Sequence, residues 1–203
     1  MWVRLAAATG LGDIDEKSVI PELVKLLSHD NAQIREGAAL ALGAIDYSGE
    51  VPGLKESIDK KDIDPRIADY LLGKTDSMDD KDIQDLKRKL RVKSDMYARI
   101  VAVLAFGKIG KVNDKVVPDI EKALLDNEPI VRALAVVVLS RLEHRESLGF
   151  IKDLANDDDS IVRGVVALAM GKLGDSGTLA GLERLTKDKE TSVRASAALG
   201  IGK

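Results

Sequence analysis

The chain has 203 residues, 31 Lys and Arg against 34 Asp and Glu for a net charge of -3, and 45% hydrophobic residues of which very few are aromatic. With no cysteine there is no disulfide framework, thiolate-zinc site, iron–sulfur cluster or cysteine nucleophile, and two histidines leave little for transition metals. The balanced charge argues against a nucleic-acid partner or an anionic-membrane surface, and a core of Ala, Val, Leu and Ile suits close-packed helices.

In chain order, Val3-Arg4-Leu5-Ala6-Ala7-Ala8 opens a first predicted helix that runs to Gly12. Ile20 to Leu27 forms a second apolar-periodic stretch, with Pro21 in the first turn, where a missing N–H costs no hydrogen bond. Ile34-Arg35-Glu36-Gly37-Ala38-Ala39 then restarts the first pattern. Between Tyr47 and Asp95 the register loosens: Asp69 and Tyr70 take places that hold small apolar residues elsewhere. Asp79 to Val92 predicts a polar, loosely packed helix with one stripe through Ile83, Leu86 and Leu90, and either a bend or an ordinary divergent repeat is expected here. From Met96 the pattern is regular again, with arginine-bearing helices at Arg99, Arg132, Arg163 and Arg194 separated by stretches such as Val117 to Leu125.

The arginines at 4, 35, 66, 99, 132, 163 and 194 are spaced by 31 or 33 residues, which marks a repeat protein. Seven arginine-type helices alternate with six of the second type. A glycine eight residues after the arginine, at Gly12, Gly43, Gly107, Gly171 and Gly202, is expected to end the helix. Acidic turns such as Asp126-Asn127-Glu128-Pro129 and Asp157-Asp158-Asp159-Ser160 are placed to cap the next one.

Val162-Arg163-Gly164-Val165-Val166-Ala167-Leu168-Ala169-Met170-Gly171-Lys172-Leu173-Gly174-Asp175, with Ile34 to Ile45 and Met96 to Gly110, resembles the HEAT-like repeat of the phycobilin-lyase type. The resemblance implies an all-α fold, an α-solenoid of about six HEAT-like helix pairs in one array over 1–203. Within it, 1–77 would form N-terminal repeats, 78–95 an irregular helix and 96–203 regular C-terminal repeats. It also implies that each arginine bonds an acidic residue in the turn before it: Asp30 for Arg35, Asp126 for Arg132, Asp157 for Arg163 and Asp188 for Arg194. Arg99 has Lys93 at that offset. Proteins of this type are mostly scaffolds that grip another protein on the concave face.

Motifs with catalytic overtones read better as structure. Ala68-Asp69-Tyr70-Leu71-Leu72-Gly73-Lys74-Thr75 fits a relaxed phosphate-loop pattern, but no strand precedes it and Gly73 falls where neighbouring repeats end a helix. The pairs Gly107/Gly110 and Gly171/Gly174 fail as a dinucleotide fingerprint on the same ground. His29 and His144 lie in turns, and the chain has no His-Glu dipeptide, which excludes the di-iron hydroxylase type of HEAT protein. Lys87-Arg88-Lys89-Leu90-Arg91-Val92-Lys93 reads as a solvated face beside several aspartates. No cofactor and no metal are expected, and the chain is read as no enzyme.

The candidate site comes from helical geometry. Counting from each arginine, the small and apolar offsets 3, 4, 7, 10 and 11 share one face, and offsets 1, 2, 5 and 9 lie on the other, where a concave groove is expected. These are Ile100, Val101, Leu104 and Lys108 after Arg99; Leu134, Val137 and Arg141 after Arg132; and Val165, Leu168 and Lys172 after Arg163. An apolar strip worth about 1.5 kcal/mol or more per buried side chain, beside a cationic row of Lys108, Arg141, Lys172 and Lys203, would suit an acidic amphipathic helix or peptide. The competing reading is that neighbouring helices cover the strip and it is core.

Trp2, Val3, Leu199 and Ile201 at the two ends predict raw stacking surface, which fits either a segment cut from a longer array or homo-association through uncapped ends. Apolar runs of seven residues fall far short of the roughly 20 needed to span a bilayer, so no membrane partner and a cytoplasmic location are expected. The function expected is a non-catalytic scaffold binding a partner protein or peptide. A lyase-like or accessory protein acting on a tetrapyrrole-bearing partner and a self-assembling structural unit are the alternatives.

Overall fold

The computed structural model describes residues 20–26, 29–31, 34, 38, 41, 42, 80–93, 95–109, 114–174 and 176–202. Arg35, Lys203, Gly110 and the phosphate-loop-like segment 68–75 lie outside them, as does the side chain of Lys108. The described residues form nine α-helices and no strand.

The helices are α1 (Ile20–Leu26), α2 (Asp80–Leu90), α3 (Met96–Ile109), α4 (Val117–Ala123), α5 (Pro129–Arg141), α6 (Leu148–Asp153), α7 (Ser160–Leu173), α8 (Leu179–Leu185) and α9 (Thr191–Ile201). α3, α5, α7 and α9 carry the arginines and pack side by side in chain order, α3 on α5, α5 on α7 and α7 on α9. α2, α4, α6 and α8 form a second layer, each against the long helix that follows it. This is the all-α solenoid read from the period.

Local signals set the helix starts. Pro129 opens α5 where its missing N–H is harmless, and the Asp159 carboxylate caps α7 by accepting from the Ile161 and Val162 amides at 2.7 and 3.3 Å. α2 is polar with one stripe, as expected: Leu86 is buried, Ile83 and Leu90 are half-buried, and the helix rests on α3. Lys87 ties it to buried Asp119 of α4 at 3.1 Å.

Of the glycines eight residues past the arginine, Gly202 caps α9 as expected and Gly12 and Gly43 lie outside the described residues, but Gly107 and Gly171 have a different role from the one expected. Gly107 and Gly171 lie inside α3 and α7, which continue to Ile109 and Leu173. A methyl group on Gly171 would stand 2.4 Å from the Gly200 Cα, and one on Gly107 would stand 2.6 Å from Val138 Cγ1. These residues are glycine because consecutive long helices touch there, backbone to neighbour. The true C-cap of α7 is Gly174, with an ordinary negative φ of -69°.

Candidate functional site

The turn edge of the array is organised by the arginines, in a register one repeat away from the expected one. Arg132 Nη1 donates to the Asp126 and Asn127 carbonyls of its own turn at 2.7 and 3.2 Å. Its Nε and Nη2 reach forward to both carboxylate oxygens of Asp157, each at 2.8 Å. Arg163 does the same with the Asp157 and Asp158 carbonyls behind and Asp188 ahead, at 2.8 and 2.9 Å. Arg99 holds the Val92 and Lys93 carbonyls and the Asp126 carboxylate. The pairings of Asp126 with Arg132, Asp157 with Arg163 and Asp188 with Arg194 are therefore corrected: each arginine takes that aspartate's main-chain oxygen, and the carboxylate belongs to the arginine before. Arg99 works with Lys93 because the bond is to the backbone. Asp30 is an exposed turn residue, and Arg35 lies outside the described residues.

Each rung is locked from both sides. The Asp126, Asp157 and Asp188 carboxylates also accept the amides of Glu128, Asp159 and Glu190, each at 2.9 Å. Arg99 is only 1% exposed, which such bidentate, fully bonded pairing permits. Burial pushes the Asp157 carboxyl up, but the Arg132 hydrogen bonds, the Asp159 amide and the surrounding guanidiniums together hold it below its ordinary value. The hydrogen bonds from Arg163 do the same to Asp188, against a smaller cost of burial.

The inner face is narrower than the sequence implied. Gly107 and Gly171, at offset 8, face the following long helix, and the residues they meet, Val138 and Gly200, are at offset 6 of theirs. Offsets 8 and 6 point at roughly 80° and 240° from the arginine, so offsets 1 and 2, at about 100° and 200°, lie on flanks that neighbouring helices cover. Ile100, Val101, Leu134 and Val165 are accordingly core, with Leu134 at 0% exposure, which corrects their placement in an open groove. Leu104 is core too, since α3 is buried at every residue from Ala98 to Gly107.

Offsets 5 and 9 point between the two flanks and, Leu104 of α3 apart, keep some exposure where their side chains are described. Val137 and Leu168 are half-buried, Lys172 is exposed, and Leu199 continues the line at 57% exposure. Leu199 is legible in the sequence as offset 5 of the last helix, a position that its place near the chain end masks. The cationic row is thinner than expected, because Arg141 Nη2 donates to the Gly107 carbonyl at 2.7 Å, capping the C-terminal end of α3. Lys172 is its accessible charge among the described residues, with Lys108 and Lys203 outside what is described.

One side-chain chain mimics a nucleophile pair. His144 Nδ1 lies 2.7 Å from Ser147 Oγ, which donates to Glu121 Oε1 at 2.6 Å. Because the ionised Glu121 only accepts, the Ser147 proton goes to it, and His144 Nδ1 must be the donor toward Ser147. Ser147 is 0% exposed and its proton is directed at a carboxylate, so the arrangement joins α4 to the turn before α6 and presents no nucleophile. No group of three or more potential metal ligands occurs among the described residues, and no described helix is long and apolar enough to cross a membrane.

A family model described as HEAT repeats matches residues 2–71 and 117–202. The match is to HEAT repeats as a class. No curated protein matches the chain. Among solved structures, a crystal structure described as an engineered protein is similar at 19% identity and a TM-score of 0.45, over 98% of this chain and 88% of its own.

Proposed function

The chain belongs to the HEAT-repeat family, and on that premise we propose that it is a non-catalytic scaffold that holds a segment of another protein along its inner helix row. The observation that carries this is the line Val137, Leu168 and Leu199: one wheel position on three consecutive helices, apolar and accessible, where offsets 1 and 2 on either side are mostly sealed. HEAT repeats commonly mediate protein interactions. Lys172 beside the line favours an acidic residue on the apolar segment, at a single point and not along a rail.

A photo-crosslinking residue at position 168 of the full chain should capture a defined partner, and the same residue at Phe150 of the outer layer should not. Leu199→Asp in the chain that carries the crosslinker at 168 should abolish capture at an unchanged melting temperature, since Leu199 is exposed. Equal capture from both positions, or a partner indifferent to Leu199→Asp, defeats the reading.

A further inference from the structure

Arg163 has one donor more than the fold uses. Its Nη1 serves the Asp157 and Asp158 carbonyls and its Nε and Nη2 the Asp188 carboxylate, which takes four of the five N–H groups of a guanidinium. The fifth, on Nη2, has no acceptor among the described residues, on a side chain only 7% exposed. In the Arg99 rung that proton goes to Asn127 Oδ1 at 3.4 Å. The residue in the place of Asn127 is Asp158 in the next rung and Lys189 in the Arg163 rung, so an ammonium has replaced the oxygen.

The open donor borders a cavity. A space of about 510 Å³ lies between the turns that follow α6 and α8, with Arg163 in its wall beside Arg184, Lys187 and Lys189. Arg184 and Lys187 take places held 31 residues earlier by Asp153 and Asn156, so the second turn is cationic where the first is acidic. Two of the carboxylates in the lining are already engaged, Asp157 by Arg132 and Asp188 by Arg163. What remains is Asp158 against three cations, none of the four in an ion pair among the described residues. The cavity thus combines a surplus of two positive charges with a buried N–H that lacks an acceptor, a group that is costly to leave unbonded.

We propose that this cavity binds a phosphomonoester. Such a group carries about -1.5 to -2 charges at pH 7 and three strong acceptor oxygens, which matches the surplus. One oxygen accepts from Arg163 Nη2, as Asn127 does from Arg99, and the others answer Lys189, Lys187 and Arg184. A carboxylate suits the buried donor less well. Its strong mode is a fork onto two N–H groups of one guanidinium edge, and the Nε–Nη2 edge of Arg163 is already closed on Asp188. A tetrahedral group instead accepts single donors from several directions. The site lies on the turn edge, apart from the inner row, and does not rest on the scaffold reading.

The probe is inorganic phosphate, titrated into the isotope-labelled full chain at constant ionic strength and read by NMR from the Lys187 and Lys189 amides and the Arg163 Nε–H. Saturable shifts are expected, with binding about tenfold or more tighter than that of acetate, the scale of one charge-assisted hydrogen bond. Lys189→Asn, which returns the oxygen of the Arg99 rung to this one, should weaken phosphate binding by about tenfold at an undiminished melting temperature. Arg145→Ala removes an exposed cation outside the lining and should leave binding unchanged. A short phosphoserine peptide and glycerol phosphate, compared in the same titration, separate a protein side chain from a small metabolite as the source, the tighter binder marking it. No saturable shift with phosphate, acetate binding as tightly, or a Lys189→Asn chain that binds like the parent overturns the proposal. An equal loss from Arg145→Ala also overturns it, as an undirected response to net charge.

Discussion

Arg132 and Asp157 sit 25 residues apart and in consecutive repeats, yet they form the most symmetric ion pair of the described array, with Nε and Nη2 each 2.8 Å from a different carboxylate oxygen. Both side chains are largely buried, at 15% and 7% exposure. The pair is therefore a staple between repeats, and removing one half of it exposes how much the other depends on it.

Arg132→Ala leaves Asp157 buried without its bidentate partner, held only by the Asp159 amide and the more distant Arg163, and frees two carbonyls. A loss of about 3 kcal/mol is expected, measured by urea unfolding. Arg132→Lys should recover only part of it, since an ammonium cannot span both carboxylate oxygens and the carbonyls behind. Lys93→Ala should change stability by less than about 0.5 kcal/mol, because Arg99 uses only its main chain.

Acid should weaken the array through the same rungs. Asp157 and Asp188 are held below their ordinary value when folded and return to about 3.9 when unfolded. The unfolded chain then binds more protons, so their contribution is complete at neutral pH, declines below about pH 5 and is gone below the folded values. Unfolding free energies between pH 7 and 2.5 should fall accordingly. Asp188→Asn should lower stability at pH 7 and flatten the acid slope; an unchanged slope would remove the rungs as its cause.

Helix contact makes the glycines unequal. Gly171→Ala drives a methyl into the Gly200 backbone and should cost about 3 kcal/mol, the upper end for overpacking. Gly149→Ala in exposed α6 meets nothing within 4 Å and should stabilise by up to about 1 kcal/mol. Thermal melts of the two variants, shifted in opposite directions, check this.

Glu143 follows α5 with φ at 57°, the left-handed region that disfavours a side chain. Its turn bonds, Glu143 amide to the Ser140 carbonyl and His144 amide to the Leu139 carbonyl, both 3.2 Å, involve only backbone. Glu143→Gly should keep them and raise stability by about 0.5–1 kcal/mol, read from the denaturation midpoint.

The period was legible because an arginine recurs at nearly constant spacing, and with it came the helix alternation and the solenoid. The rung register was not, because an aspartate six residues before one arginine is also 25 residues after another, and one-dimensional spacing does not say which receives the carboxylate. Half of each arginine's bonds go to carbonyls, which every residue possesses, so Lys93 looked like a break in a pattern that is unbroken. The inner face was overdrawn for a related reason. A wheel separates the side packed on the partner helix from the side opposite, but the flanks are claimed by helices 31 or 33 residues away, and only the glycine contacts fix how much of the circle they take. Of the ten candidates, Val137, Leu168 and Lys172 keep accessible surface, Arg141 is half-buried on the Gly107 carbonyl, and the side chain of Lys108 lies outside the described residues; Leu134 and its neighbours became core.

Among the described residues the rungs join nearest neighbours and nothing beyond, and the arginines of α5, α7 and α9 recur every 31 residues, so this part of the array can change length by whole units. Excising residues 133–163 would splice Arg132 directly onto Gly164, put Asp188 where Asp157 had been, and leave the remaining ties in phase. A deletion that removed a fraction of a unit would throw every later aspartate out of step with its arginine, and selection acting on such a chain would tolerate the first kind of event and eliminate the second.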